Sequence, residues 1–241
     1  MKITKLLRII SGIVIFLTLP TLLFFGFIYF SYNEDLPEGK KGNQADELAL
    51  KMLDALDYEA YKKTNYIEWI YKNKRQFNWN KLENICTISW KEFKVELNLN
   101  DTASSKVYVH KFKVNGDKAN ELINEAHSYF QKDSFWVIGP YQVFDNGVER
   151  YKAKLENKQD VLLVTYPKNN DDSQNSYAWI LDKNYKPIAC KMWTNELPIG
   201  GLEMSWRDWT TTQSGAQLPT YHEMIFTGIK INNIKGTISE F

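Results

Sequence analysis

The sequence predicts an α+β fold: a large, strongly coiled antiparallel β-sheet (half-barrel) with two covering helices, preceded by one N-terminal transmembrane helix. Three observations carry this prediction. The chain begins with a long uncharged apolar segment, two later segments have the period of amphipathic helices, and most of the remainder alternates apolar and polar residues. Consecutive hairpins with helices at only two points are typical of this class.

The first element is the apolar segment 9–30, which contains no charged residue. At about 1.5 Å of rise per residue, a helix of this length crosses a hydrocarbon core of about 30 Å. A signal peptide is the alternative, but its apolar region is usually about 7–15 residues long and ends at small residues. Bulky aromatic residues end this segment, and no cysteine follows for lipoprotein attachment. We therefore predict an uncleaved anchor.

The distribution of charge predicts the orientation of this anchor. Lys2, Lys5 and Arg8 lie in the tail 1–8, whereas the first charged residues after the span are acidic. By the positive-inside bias, the N-terminus is expected in the cytoplasm and the rest of the chain outside. Residues 31–43 mix proline, glycine and charge, which predicts a short tether, and residues 44–241 form the outer domain.

Length and charge limit the function of the outer domain. About 200 residues are enough for one domain with a substantial core. Because three of the 30 basic residues lie in the tail, 27 remain beside 29 acidic residues, a formal charge of −2. Binding of nucleic acid needs a basic excess gathered on one face, so we expect no nucleic-acid partner.

Two segments have apolar residues at spacings of three and four. The first covers residues 45–56, with Asn43 as the expected N-cap, and the second covers residues 119–130, after the turn Asn115-Gly116 and with Asp117 as the expected N-cap. Both apolar stripes are expected to face the core. Binding of a partner helix is the alternative.

Alternation with a period of two predicts about ten strands. Turn residues such as Asn146-Gly147 and Gly200-Gly201 separate several of them. A flat sheet of this size would expose long edges, so the sheet is expected to coil. The predicted strands are residues 66–71, 84–90, 93–99, 106–114, 148–155, 161–166, 177–181, 187–193, 202–209 and 221–232.

All eight tryptophans lie in the outer domain. The alternation places Trp179 and Trp206 on an apolar face and Trp193 on the opposite face, so the sheet needs two coverings, or one covering and a ligand. Concave apolar sheets often form ligand pockets. The residues expected to line a hydrophobic cavity are Trp69, Trp90, Trp179, Met204, Trp206 and Phe226. Two alternatives stay open: the tryptophans fill a core, or they stack on a sugar beside the polar loops 145–146 and 169–172.

Catalytic patterns are missing from the sequence. His110, His127 and His222 are the only histidines, and none has a neighbour at metal-ligand spacing. Glycine-rich phosphate loops and a nucleophile elbow are also absent. We therefore expect no catalytic residue, no metal and no cofactor, although two carboxylates remote in sequence could still serve a hydrolase.

Cys86 and Cys190 are the only cysteines, and each lies in an apolar strand pattern. A disulfide is possible in an oxidising compartment. Buried free thiols are the alternative that this pattern favours.

The order of elements carries a resemblance to a known family. A leading helix, a first strand with Ile67-Glu68-Trp69 and the hairpin FNWNKLENICTISW (77–90) are followed by YAWILDKNYKPIACKMW (177–193) and GGLEMSWRDWTTTQSGAQLPTYHE (200–223). This order resembles membrane-anchored relatives of the bacterial lipoprotein carriers, the LolA-like half-barrels. The resemblance implies a helix-capped concave sheet that accepts acyl chains of lipids or lipoproteins, and a periplasmic domain at the inner membrane of a two-membrane bacterium.

These observations together predict a membrane-anchored, non-catalytic domain that binds a lipid or another hydrophobic ligand. The first alternative is a structural or interaction protein of a bacterial envelope complex, with an envelope protein as its partner and a cavity filled by its own side chains. A hydrolase is the third possibility.

Overall fold

The computed structural model describes residues 2–167, 174–225 and 227–239, and these form an α+β fold with four α-helices and two antiparallel sheets. The helices are α1 (Lys2–Tyr32), α2 (Asn43–Ala55), α3 (Tyr58–Lys63) and α4 (Asp117–Ile138). The strands are β1 (Gly39–Lys40), β2 (Tyr66–Tyr71), β3 (Arg75–Asn80), β4 (Ile85–Trp90), β5 (Phe93–Asn98), β6 (Lys106–Val109), β7 (Phe112–Val114), β8 (Glu149–Lys154), β9 (Asp160–Thr165), β10 (Ser176–Leu181), β11 (Pro187–Trp193), β12 (Leu202–Ser205), β13 (Arg207–Thr211), β14 (Gln217–Met224) and β15 (Thr227–Thr237).

Helix α1 contains a segment, Ile10–Tyr32, that is long and apolar enough to cross a membrane, and none of it is buried inside the protein. Pro20 lies within this helix. Near its C-terminal end, Ile28 packs against the core of the domain. The apolar segment is therefore part of a continuous helix, and Ile28 near its C-terminal end contacts the domain.

The strands are divided between two sheets, whereas the sequence predicted a single large sheet. The six-stranded sheet has the order β1-β8-β9-β10-β11-β12, and the nine-stranded sheet has the order β13-β14-β15-β2-β3-β4-β5-β6-β7. The chain passes from one sheet to the other at Trp206, between β12 and β13. The sheets adjoin here, because the backbone N–H of Glu223 in β14 donates to the Ser205 hydroxyl in β12.

Three of the predicted strands are each two strands in the structure. Residues 106–114 divide at the turn of His110 and Lys111, whose φ angles are 49° and 71°. Residues 202–209 divide at Trp206, and residues 221–232 divide between β14 and β15. None of these breaks carries the glycine, asparagine or proline that normally marks a turn, so the alternation continues through them. Strand β3 was not among the ten strands predicted from the alternation, although most of it lies in the hairpin 77–90 that carries the family resemblance.

The helices bury the predicted stripes. Ala45, Ala49 and Met52 of α2 are buried, and so is the corresponding face of α4, which runs beyond the predicted stripe to Ile138. The predicted caps are each displaced by one residue, since Gly42 and Gly116 occupy the N-cap positions. Both glycines have positive φ, which explains why a glycine precedes each helix. The short helix α3 was not predicted.

The main core joins both sheets to α2 and α4 and includes Trp69, Phe77, Leu122 and Trp179. A second, smaller apolar cluster lies on the other face of the six-stranded sheet. Its buried members are Ala153, Leu155, Val161, Leu163, Ala178, Ile180 and Ala189, with Tyr151 and Trp193 packed against them. The expectation that Trp193 faces away from Trp179 is therefore confirmed, and this sheet is apolar on both faces.

Candidate functional site

Five of the six residues expected to line a hydrophobic cavity belong to the main core. These are Trp69, Trp90, Trp179, Met204 and Trp206, each of which is at most 5% exposed. Phe226 lies outside the described residues. Trp179 and Trp206 meet edge to face with ring centroids 4.8 Å apart, whereas Trp69 stacks on Phe77 at 4.6 Å. The aromatic rings thus pack on one another.

The indole N–H groups of this interior are unusual. Those of Trp69, Trp79, Trp90, Trp179 and Trp206 are buried without a hydrogen-bond acceptor. Buried N–H groups normally have a partner, because removing one from water without replacement costs free energy. Ring packing, rather than hydrogen bonding, therefore holds these indoles in place.

A cleft of about 390 Å³ lies elsewhere, where the end of α1 meets the outer face of the β-sheet structure. Tyr32 and Glu34 line it from the side of the helix. This cleft is positioned by the segment that follows α1 and by the register of strands β11 to β14.

The chain directly after α1 is fastened to the domain. The backbone N–H of Glu34 donates to the carbonyl of Gly200 at 2.9 Å, and the N–H of Gly200 donates to Asn33 Oδ1 at 2.8 Å. Trp193 Nε1 donates to the Glu34 carbonyl at 2.8 Å, and the Glu34 carboxylate pairs with Lys191. The exit of α1 is thereby fixed to β11 and to the loop before β12.

Residues 33–40, here called the strap, then cross the outer face of the six-stranded sheet. Glu34 lies beside β11, whereas Gly39 pairs with Ala153 of β8, three strands away. Gly39 itself lies in β1, one strand beyond β8. Four strand spacings in a flat sheet amount to about 19 Å, and five residues span at most about 17 Å. The strap therefore has no slack and runs nearly extended between its two ends. The segment predicted as a tether is fastened at both ends.

Close approach of the strap requires a glycine in β1. A Cβ atom on Gly39 would lie 2.6 Å from the Cβ of Tyr151 and 3.4 Å from that of Ala153. The first distance is far shorter than a van der Waals contact. Gly39 thus permits β1 to approach β8 closely enough to pair with it.

The floor of the cleft comes from alternate residues of neighbouring strands. Lys191 of β11 lies opposite Glu203 of β12, and Ser205 and Arg207 follow Glu203 on the same side of the chain. Glu223 of β14 completes this polar surface. These residues are far apart in sequence, and the pairing of strands brings them together.

The charges of the cleft are only partly compensated. Lys191 is paired with Glu34, and their side chains are 14% and 25% exposed. Arg207, Glu203 and Glu223 form no ion pair with another described residue. The cleft therefore presents one guanidinium and two carboxylates that are free to bind a ligand.

A smaller groove of about 100 Å³ lies on the solvent face of the nine-stranded sheet, beside an irregularity in β15. Asn78 Oδ1 is buried there without a partner, next to the ion pair of Lys235 with Glu68 at 2.9 Å. The groove is large enough for a few water molecules only.

Two of the three histidines, His110 and His222, lie in very different environments. His110 lies in the turn between β6 and β7, not on a strand as the sequence analysis expected. His222 is fully buried, with Nε2 2.7 Å from the Trp136 carbonyl and Nδ1 3.3 Å from the Ser205 carbonyl. Burial lowers the pKa of His222 to about 4, although both carbonyls oppose this change.

Other chemistry is sparse in the described residues, in which no group of three or more His, Cys, Asp or Glu is arranged to hold a metal ion. Cys86 and Cys190 are buried free thiols, one in each sheet, so the disulfide alternative is wrong. Burial raises the pKa of both thiols. The acidic loop 169–172 lies outside the described residues.

The sequence does not predict the charged cleft as a whole, although it contains part of the signal. The alternation in residues 202–209 places Glu203, Ser205 and Arg207 on one face of a strand. What the sequence could not provide is the position of Glu34 and Glu223 beside that face, because it depends on the strap and on the contact between the two sheets.

Comparison of the chain with family models, with curated proteins and with solved structures finds no match. Fold and site therefore define the class of protein by themselves. It is an α+β domain carried on one apolar N-terminal helix, with a charged cleft where helix and domain meet.

Proposed function

We propose that this chain is a single-pass membrane protein whose outer domain binds a phospholipid without catalysis and holds the lipid headgroup in the cleft at the end of α1. The observation that carries this proposal is the position of the cleft. Tyr32, the last residue of the apolar helix, lines the same cleft as the unpaired Arg207, Glu203 and Glu223.

The position of the cleft matches the depth of lipid headgroups. A helix that spans the hydrocarbon core ends in the headgroup layer, where tyrosine is a favoured residue. A guanidinium binds phosphate through two parallel hydrogen bonds, and carboxylates accept hydrogen bonds from an ammonium group. Arg207 together with Glu203 and Glu223 therefore suits a headgroup that carries both a phosphate and a primary ammonium.

The packed interior favours a lipid site in the cleft over a lipid site among the tryptophans. Trp179 and Trp206 are in direct ring contact, and both also contact Phe135. An acyl chain between them would have to separate these rings. In our proposal the acyl chains stay in the bilayer and only the headgroup enters the protein.

The cellular placement is part of the same proposal. The basic residues of the tail support a cytoplasmic N-terminus, and the resemblance to LolA-like half-barrels, which rests on the order of elements, supports a periplasmic domain at the inner membrane. Strong coiling of the strands into a half-barrel is likewise proposed. The direct passage between the two sheets at Trp206 is consistent with it.

A second candidate function is that of a structural or interaction protein in an envelope complex. The filled aromatic interior favours it, because such a protein needs no cavity. In-cell cross-linking separates the two functions. A stable protein neighbour that is retained when Arg207 is replaced by glutamine supports the structural function and counts against lipid binding as the main role.

Native mass spectrometry of the full-length protein, after exposure to equal amounts of phosphatidylethanolamine, phosphatidylglycerol and phosphatidylcholine, tests the proposal. We expect preferential retention of phosphatidylethanolamine, because only its headgroup combines phosphate with ammonium N–H donors. Replacing Arg207 by glutamine should weaken retention about tenfold, since a charge-assisted bidentate contact is lost.

The matched control is Lys113→Gln, which removes an exposed positive charge from the edge strand β7 and should leave retention unchanged. Retention of no lipid would overturn the proposed function. Equal retention of all three lipids by the wild type and by Arg207→Gln would overturn the role of the cleft.

A further inference from the structure

The hairpin between β14 and β15 has an unusual turn. Met224 pairs with Thr227, and the two residues between them in the sequence are apolar. Two-residue hairpin turns normally contain asparagine, aspartate or glycine, and they are exposed to water. Among the described residues, two hairpins have the same pairing across two residues, and their turns, Lys91-Glu92 and His110-Lys111, are polar. An apolar turn at this place therefore needs a partner.

This turn lies beside the membrane helix. Met224 and Ile225 line the cleft at the end of α1 together with Tyr32. One helical turn before Tyr32, on the same face, Ile28 packs against the core of the domain. Ile225 is itself 37% exposed. The apolar tip and the last turn of α1 thus meet at one end of the domain.

We infer that Met224 and Ile225 form a second membrane contact, which inserts into the lipid surface next to α1. The inference rests on the proposed membrane placement of α1. A bilayer surface suits this tip because apolar side chains can enter the boundary between headgroups and acyl chains at low cost, whereas two residues offer too little area for a stable protein interface. The strap keeps the exit of α1 fixed, so the tip meets the bilayer in a single orientation.

A polarity-sensitive dye on a cysteine at position 225 tests this inference in the full-length protein. Cys86 and Cys190 are buried, so Ile225→Cys provides the reactive thiol in the folded chain. The matched control is Leu82→Cys, because Leu82 is 68% exposed and lies between β3 and β4, at the opposite end of the sheet. Both proteins are placed in vesicles of phosphatidylethanolamine and phosphatidylglycerol in equal parts.

We expect the emission of the dye at position 225 to shift to shorter wavelength and to be quenched by nitroxide-labelled lipid. The dye at position 82 should report water. If the protein floats with the vesicles but the two dyes behave alike in an aqueous environment, the membrane contact of the tip is overturned while the anchor stands. If the wild type does not float with the vesicles, the membrane placement fails and both proposals fall with it.

Discussion

His222 shows how a single buried side chain can make the stability of this domain depend on pH. The side chain connects β14 to α4 and β12 through its two backbone neighbours, Trp136 and Ser205. Its ring also lies 4.3 Å from that of Trp206. Protonation would place a positive charge in this apolar environment, which is why the pKa falls from 6.5 to about 4.

The sign of the effect follows from proton binding. Between pH 6.5 and about 4 the unfolded chain binds the proton at this residue and the folded chain does not. Stability should therefore fall as the pH decreases through this window, by roughly 3 kcal/mol in total. Denaturant unfolding of the domain at several pH values measures this loss.

Two variants isolate the contribution of His222. His222→Phe keeps a ring of similar size, and it should remove this part of the pH dependence, whatever its effect on stability at neutral pH. His110→Gln changes an exposed histidine and should leave the profile as it is in the wild type. If the stability of His222→Phe depended on pH as the wild type does, His222 would not be the source of this pH dependence.

At the scale of elements, the strap shows how a short strand can fasten the apolar helix α1 to the domain. Gly39→Val should displace β1 from β8, because the new side chain meets the Cβ of Tyr151. We expect hydrogen exchange of peptides covering residues 36–42 to accelerate about tenfold or more, since local opening no longer has to break the pairing of β1 with β8. The core strands should keep their protection.

Lys40→Val is the matched control for this prediction. It introduces the same side chain one position later, where the residue is exposed and where successive side chains point to opposite sides. Its exchange should stay close to that of the wild type. Equal acceleration in both variants would show that the strap is held by something other than close packing at Gly39.

The elements also show what the sequence could predict. Strands β2 and β11 agree with the predicted bounds because polar or turn residues end their alternation. The break at His110-Lys111 was missed, since the backbone turns there without the usual turn residues. The cleft was missed for another reason: Glu34 lies beside Arg207 only through the strap and the sheet register. The alternation places Arg207 on a face with Glu203 but does not show which residues lie beside that face.

At the scale of the whole molecule, the main core determines how the domain unfolds. Cys86 lies in β4 of the nine-stranded sheet and Cys190 lies in β11 of the six-stranded sheet, yet both belong to this one core. A core that includes residues of both sheets favours cooperative loss of both at once. The two sheets are therefore expected to unfold as one unit.

The two thiols report directly on this cooperativity. In the folded domain both are fully buried and burial raises their pKa, so neither should react with a thiol reagent. With Cys190→Ala only Cys86 reports, and with Cys86→Ala only Cys190 reports. Because each substitution shifts stability, each labelling midpoint is compared with the midpoint of tryptophan fluorescence in the same variant. We expect the two midpoints to coincide in both proteins. If Cys190 becomes reactive at a lower denaturant concentration than the fluorescence change, the six-stranded sheet opens by itself and the shared core does not couple the two sheets.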